Sequence, residues 1–413
     1  MEGDTKQLFR HLFAGNKLLW TIAVLLFATS LIIIFSAIAQ RAYGHPVNYL
    51  LPYEHHFMHI LFGFFVMWCA QAVSYRRWRK AWWFIGIVAL GGLLYVIALT
   101  LNNPDMAVNG AIRSFRIGPI DFQPNEVTKF ALILFLADQL TLYQEDQSMT
   151  WKRFFTWFGV IGGFCALIAV QNLSTSIILF VVCMLVLYVG RVDMKYLGTG
   201  IAIVATGITI GALLIMVIPD KKLPGRTLTW KHRMENLLGD KQEEKEQEVL
   251  KFTDKNRQIM NCKVAVANGK TPCGPGNSHR REFMQLPYSD CVFAVAVEEW
   301  GWWAVGWITT LYLWLFMLCG RMARKCERPY PMLMITGLGS LILLQAFVAM
   351  GVNVQLGPVT GQPLPLISMG GFSIMMNALY FGILINISQS IEPANPKDAD
   401  TPAPPIEETE KKQ

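Results

Sequence analysis

Charge is what this sequence has least of. Asp, Glu, Lys and Arg make up 16% of its 413 residues, where soluble domains carry about 25%. Apolar residues reach 53% and mean hydropathy is +0.36, which excludes a soluble domain and points to a polytopic membrane protein. Also missing are any Cys-x-x-Cys pair and any His/Cys set at metal-ligand spacing, so neither a zinc nor a dithiol motif is present. The start does not read as a cleaved secretory leader, because its first apolar run is long and follows a polar lead of about 17 residues.

What is present is a series of runs with no charge at all: Leu18 to Gln40, Ala81 to Pro104, Phe154 to Gly190, Tyr196 to Pro219 and Pro329 to Ile391. A spanning helix needs roughly 20 mostly apolar residues. The third and fifth runs are therefore each long enough for two spans, broken at Gln171-Asn172-Leu173 and at Asn353–Pro365. Weaker spans near His59–Ser74, Glu126–Leu142 and Val292–Cys319 bring the total to about ten. The second of these carries Glu126, Lys129 and Asp138 and should be buried among other helices. The fold class is an all-α integral membrane protein.

Orientation follows from the short loops. Arg76, Arg77, Arg79 and Lys80 lie between the second and third spans; Arg321, Arg324, Lys325 and Arg328 lie between the eighth and ninth. Lys6, Arg10 and Lys17 precede the first. Basic loops stay in the cytoplasm, so both termini are expected inside. The net +7 is mostly this bias and argues against a nucleic-acid partner. The chain then divides into a cytoplasmic lead (1–17), a membrane domain (18–391) and a disordered cytoplasmic tail (392–413). A large extracytoplasmic loop (220–289) separates the seventh and eighth spans; its charged centre, 239–252, reads as an exposed helix or as a solvated spacer. Cys262 and Cys273 both lie in that loop, where an oxidising compartment permits a disulfide.

Several polar residues sit where a simple bundle would not want them. Asp290 stands where the long loop meets an apolar helix; a carboxylate at the bilayer edge is costly unless a polar cavity receives it. It reads as a general base or as a helix N-cap or first-turn acid. Arg113, Arg116 and Gln123 precede Pro124, which fits the start of a helix, so Glu126 and Lys129 share one face. That face is either an internal ion pair or a polar wall for a phosphate or sugar. Thr360 and Ser368 lie in a Pro/Gly-rich segment at membrane depth, tolerated only against protein or a wet cavity. Gln171-Asn172 reads as the turn of a helical hairpin, and Glu298-Glu299 as partners of basic groups.

In order along the chain, NGAIRSFRIG…FQPNEVTK is similar to NGARRWIRIG…FQPSELAK, QNLSTS to QPDLGTA, LPYSDCVFAVAVEEWG to LPEAHTDFIFAVIAEELG, and GPVTGQPLPLISMGG to LLPVTGIPLPFISYGG. Those counterparts belong to the SEDS family (shape, elongation, division and sporulation), whose members include FtsW, RodA and SpoVE. The resemblance covers about Leu19 to Ser390. Departures are Ser114 in place of a common Trp, a missing proline after Gln171, and Asn268–Asn277 in place of a glycine-rich approach to the acid.

The resemblance implies an inverting peptidoglycan glycosyltransferase of the cytoplasmic (inner) membrane that polymerises lipid II into β-1,4 strands on the outer face. Asp290 matches the family's essential acid and is the expected catalytic base. Arg113, Arg116, Gln123, Glu126, Lys129, Thr360 and Ser368 are the expected substrate-binding residues. A divalent cation (Mg or Mn) is the cofactor to consider, because the departing pyrophosphate needs positive charge. Alternatives are a flippase for the lipid-linked precursor and a non-catalytic divisome scaffold. Within the family the opening helix resembles division members and PVTG elongation ones, with the balance toward septal synthesis. The nearest approach to a Ser-x-x-Lys transpeptidase motif, Ser148 and Lys152, is one residue too wide, so cross-linking falls to a class B penicillin-binding protein, FtsI-like. Its span is expected against Gly301-Trp302-Trp303 and Gly337/Gly339.

Overall fold

The computed structural model describes residues 14–39, 50–103, 112–118, 120–146, 149–218, 257–284, 287–356 and 361–391. Twelve α-helices run in chain order. The first seven are α1 (Lys17–Ala39), α2 (Leu50–Ala72), α3 (Tyr75–Asn102), α4 (Pro124–Asp146), α5 (Trp151–Gln171), α6 (Leu173–Val189) and α7 (Met194–Val217). After the long loop come α8 (Arg257–Asn268), α9 (Val292–Trp300), α10 (Trp302–Lys325), α11 (Pro329–Asn353) and α12 (Gly371–Ile391). Seven of them, α1, α3, α5, α7, α10, α11 and α12, are long and apolar enough to cross a membrane. The protein is an all-α integral membrane protein, with one small antiparallel hairpin, β1 (Phe115–Ile117) and β2 (Ile120–Phe122).

Burial sorts the helices. From Pro124 to Thr141 almost every residue of α4 is buried, charged ones included, so this helix is the hub against which α3, α11, α6 and α12 pack. An all-round buried helix has no polar face to show solvent, and its charges must find partners inside. By contrast α7 is exposed along most of its length, with Ile208, Leu213 and Leu214 outward, as suits a lipid-facing surface.

Three expectations need correction. α2 begins at Leu50, nine residues before the expected start at His59, because its polar first turns are satisfied internally: His56 Nε2 meets Ser30 Oγ at 2.9 Å. The span expected over Val292–Cys319 is broken at Gly301, whose φ of +62° suits glycine and where a Cβ would lie 2.7 Å from the backbone oxygen of Gly269. Gly337 and Gly339 are not free for a partner helix: a Cβ there would lie 2.8 Å from Ile133 Cγ2 of α4 and 3.0 Å from Cys319 of α10. Trp302 and Trp303 do stay exposed. The charged segment 239–252, Thr360 and the tail 392–413 lie outside the described residues.

The two ends of α1 define two faces. At one end Asn16 N–H donates to Ser388 Oγ (2.8 Å), and Asn16, Arg321, Arg324, Lys325 and Ser388 line one cleft. At the other end Ser36 Oγ donates to Glu299 Oε1 (2.5 Å), and Arg281 Nη1 donates to the Ser36 carbonyl (2.6 Å). A 23-residue helix is about 34 Å long. The basic ends and the α8–α9 region are therefore on opposite faces.

Candidate active site

Asp290 occupies the short turn, Pro287–Cys291, that leads into α9. Three successive carbonyls of this turn are held. Met369 N–H donates to Tyr288 O (2.9 Å), Ser368 Oγ to Ser289 O (2.7 Å) and Asn353 Nδ2 to Asp290 O (2.8 Å). The donors come from the end of α11 and from the Pro/Gly-rich segment before α12, so two distant parts of the chain fix the backbone of one residue. Asn353 Oδ1 also accepts the Ala294 N–H (3.1 Å), one of the first-turn donors of α9 that have no partner within the helix. The N-cap position of α9 is Cys291, so Asp290 stands one residue before the cap and outside the first turn.

The carboxylate is left for other work. Its Oδ1 accepts from Ser289 Oγ at 3.1 Å. Oδ2 and the Arg113 guanidinium face each other across Gly361: a Cβ on that glycine would lie 3.5 Å from Oδ2 and 2.9 Å from Arg113 Nη1. Gly361 also has φ +60°, so both its backbone and the room a side chain would take from Arg113 and Asp290 call for glycine. Burial pushes the Asp290 carboxyl above its usual range, while the Ser289 hydroxyl and the Arg113 charge pull it back. A partly buried carboxyl raised in this way is a stronger proton acceptor than an exposed one.

A cavity of about 20 Å³, room for one water molecule, adjoins the carboxylate and is lined by Gln258, Cys262, Cys291, Val352, Asn353 and Gln362 among others. The Gln362 amide donates to Thr175 Oγ1, joining the segment to the first turn of α6. There Asn172 caps α6, its Oδ1 accepting Thr175 N–H at 3.3 Å, so Gln171-Asn172 is the hairpin turn that the sequence suggested. Gln171 is nevertheless buried, and among the described residues neither of its amide atoms has a hydrogen-bond partner, an arrangement that calls for a water or a ligand.

The other expected residues divide. Glu126 and Lys129 form a fully buried pair at 2.6 Å, the internal ion pair closing the start of α4; Glu126 Oε2 keeps an unused acceptor. Ser368 is committed to backbone, accepting Leu364 N–H (2.8 Å) while donating to Ser289 O, so it positions the Asp290 turn. Arg116 pairs with Asp121 at 3.4 Å across the exposed hairpin. The Gln123 carbonyl accepts Glu126 N–H at 3.1 Å, and its side chain is half-buried. Glu299 meets Arg281 at 3.7 Å as expected of a basic partner, but Glu298 is held by Ser278 (2.5 Å), Asn268 (2.8 Å) and the Arg280 N–H (3.3 Å). Gly361 and Gln362 were read only as part of the helix-breaking segment and Asn353 only as its boundary, and none of the three was expected among the site residues.

Among the described residues no group of three or more His, Cys, Asp or Glu side chains could cage a metal ion. Asp290 is a single carboxylate, so a magnesium or manganese ion held there would take most of its ligands from water and from phosphate oxygens rather than from the protein.

The cell cycle protein family comprising FtsW, RodA and SpoVE matches residues 16–392. The chain belongs to that family. Relatives within it include the probable peptidoglycan glycosyltransferases FtsW of Coxiella burnetii (26% identical, covering 89% of this chain and 94% of that one) and Geobacter sulfurreducens (26%, covering 91% and 95%). The FtsW/RodA/SpoVE fold is also seen in solved structures. The rod shape determining protein RodA of Thermus thermophilus superposes with a TM-score of 0.62 at 20% identity, covering 92% of this chain and 99% of that one. A chain from a peptidoglycan synthase complex that coordinates polymerization and crosslinking gives 0.64 at 21%, covering 91% and 98%.

Proposed function

We propose that this membrane protein is an inverting peptidoglycan glycosyltransferase that polymerises lipid II. The observation that carries the reading is the Asp290 turn, whose backbone is held through three carbonyls while its carboxylate is left facing Arg113 across Gly361. Bottom-up, Asp290 takes the proton of the acceptor sugar's 4-hydroxyl as that oxygen attacks C1 of the donor. The C1–O bond to the lipid pyrophosphate breaks on the opposite side, inverting the α-linked donor to a β-1,4 product. One base suffices, and the pyrophosphate leaves as an anion without protonation. Arg113 is the cation nearest the base and is placed to favour that developing charge.

Family membership and the FtsW names of the relatives favour septal synthesis, with elongation as the alternative within the family. The basic residues gathered on one face with Asn16, Arg321, Arg324 and Lys325 support reading that face as cytoplasmic; both ends of the membrane domain (18–391) then lie inside and Asp290 outside, and α2, α4 and α6 join the seven long apolar helices as spans. The membrane is then the cytoplasmic (inner) one. A cross-linking partner of the class B penicillin-binding kind would complete the product, since the similar solved complex joins polymerization to crosslinking. Purified protein given fluorescent lipid II should yield glycan chains on a gel, and Asp290→Asn should not. Chain formation by a folded Asp290→Asn protein removes Asp290 from the mechanism. Lipid II movement across vesicles without polymer would favour a flippase instead.

A further inference from the structure

A second pair of reactive groups lies directly beside the proposed base and takes no part in the mechanism above. Cys291 immediately follows Asp290, and its Sγ is in contact with Sγ of Cys262 on α8, 2.6 Å away. Both side chains are buried, in a small apolar cluster with Ala37, Ala265, Met284, Ala294 and Val295 that seats α8 on α9 and the end of α1. Cys273, the partner that loop position alone suggested for Cys262, instead points its Sγ at the Glu298 carbonyl (3.3 Å). Gln258 Nε2 approaches Cys291 Sγ at 3.4 Å, and no third ligand accompanies the sulfurs, so a metal thiolate site does not fit. The neighbouring Cys291 thiol, and after it burial, hold the Cys262 thiol far above its usual range, which removes it as a nucleophile once the loop is packed.

We infer that Cys262 and Cys291 form a disulfide that ties the outer-loop helix α8 to the turn carrying Asp290. The inference rests on the outward placement of this face, since disulfides persist only in an oxidising compartment. As the loop folds, two S–H bonds are lost and one S–S bond forms; two electrons and two protons pass to a protein disulfide of the outer compartment, which leaves as a dithiol. The bond anchors the fourth side of the turn, whose carbonyls are already held by α11 and by the segment before α12. It also makes the placement of the base depend on the seating of α8, the described helix nearest the catalytic turn within the long loop.

The test uses full-length protein in acid-quenched membranes, denatured in excess maleimide before any reductant. Of the eight cysteines, two should escape labelling until reduction. Digestion without reduction should give a peptide containing Cys262 joined to one containing Cys291, lighter than their sum by two hydrogen atoms. Eight labels without reductant, or a bond joining any other pair, overturns the inference. Because this mapping needs no turnover, it stands or falls separately from the glycosyltransferase reading. For the tether itself, Cys262→Ser should lower kcat about tenfold with KM little changed, shift the acid limb of the pH profile, and abolish any effect of dithiothreitol on activity. Wild-type kcat and an unmoved pH profile in a folded Cys262→Ser protein would overturn the positioning role.

Discussion

Asp290 and Glu126 are both carboxylates with a cation close by, yet the protein uses them in opposite ways. Glu126 shares one helical turn with Lys129, and the pair closes at 2.6 Å with the lysine fully buried. Charge there is neutralised within a single element, before any tertiary contact is needed. Asp290 has its cation on a different segment, and both groups approach the Cα of Gly361. One carboxylate has its charge satisfied by design of its own helix; the other is held in place by its backbone and kept available. The difference separates a structural ion pair from a reactive site, and it shows why burial alone identifies neither.

The widest gap between the two should appear on removing charge from each. Asp290→Asn should cut polymerisation by about 10²–10⁴-fold, the usual worth of a general base, with melting temperature near wild type. Lys129→Ala should do the reverse. It strands the Glu126 carboxylate inside α4, and breaking a buried pair costs about 3–5 kcal/mol, so the melting temperature should fall sharply. Replacing both, as Glu126→Gln with Lys129→Met, should recover much of that stability. If Lys129→Ala melts normally but is inactive, the lysine serves substrate and the contrast between the two acids collapses.

Much of this was legible in advance, and what was not has a common cause. Uncharged runs of sufficient length announced the membrane helices because bilayer thickness sets a length that composition reveals directly. The buried character of α4 followed from charges at helical spacing in an otherwise apolar segment, and Asp290 stood out as an acid at a loop–helix junction. Hidden were the groups that hold it. Asn353, Ser368 and Met369 lie 63, 79 and 81 residues from their partners in the turn, and no local pattern encodes such pairings. The hairpin at Phe115–Phe122 and the break at Gly301 were missed for a related reason. Each depends on a glycine at positive φ, Gly118 or Gly301, which a sequence read for apolar length passes over. Cys291 drew no reading of its own in the sequence, and only the fold sets it against Cys262.

A smaller effect tests whether the approach of Asp290 and Arg113 to Gly361 is itself functional. Gly361→Ala adds a Cβ 2.9 Å from Arg113 Nη1 at a φ of +60°. Strain of this kind costs roughly 1–3 kcal/mol, and a misplaced base or cation should lower kcat about tenfold or more. Binding of lipid II should weaken much less than turnover does. Full kcat in Gly361→Ala would mean that this approach is incidental.

The finest test is the pH dependence, where the sign differs between function and folding. Burial raises the Asp290 carboxyl above its unfolded value, so the folded state favours the protonated form. By linkage, whatever stability this group contributes is fully present below the unfolded carboxyl range and is lost as pH rises through the raised folded value. A base, however, acts only when deprotonated, so kcat/KM should fall as pH drops through that same raised value, and Asp290 alone should remove stability where it adds activity. Arg113 pulls the carboxyl down, so Arg113→Gln should move the acid limb of the rate profile to higher pH in addition to lowering its plateau. Measuring kcat/KM against pH for both proteins separates two roles for the cation. A displaced limb means that Arg113 tunes the base. An unmoved limb with a lower plateau means that its charge is spent on the departing pyrophosphate alone, and the pairing of acid and cation across Gly361 would then be one of proximity without coupling.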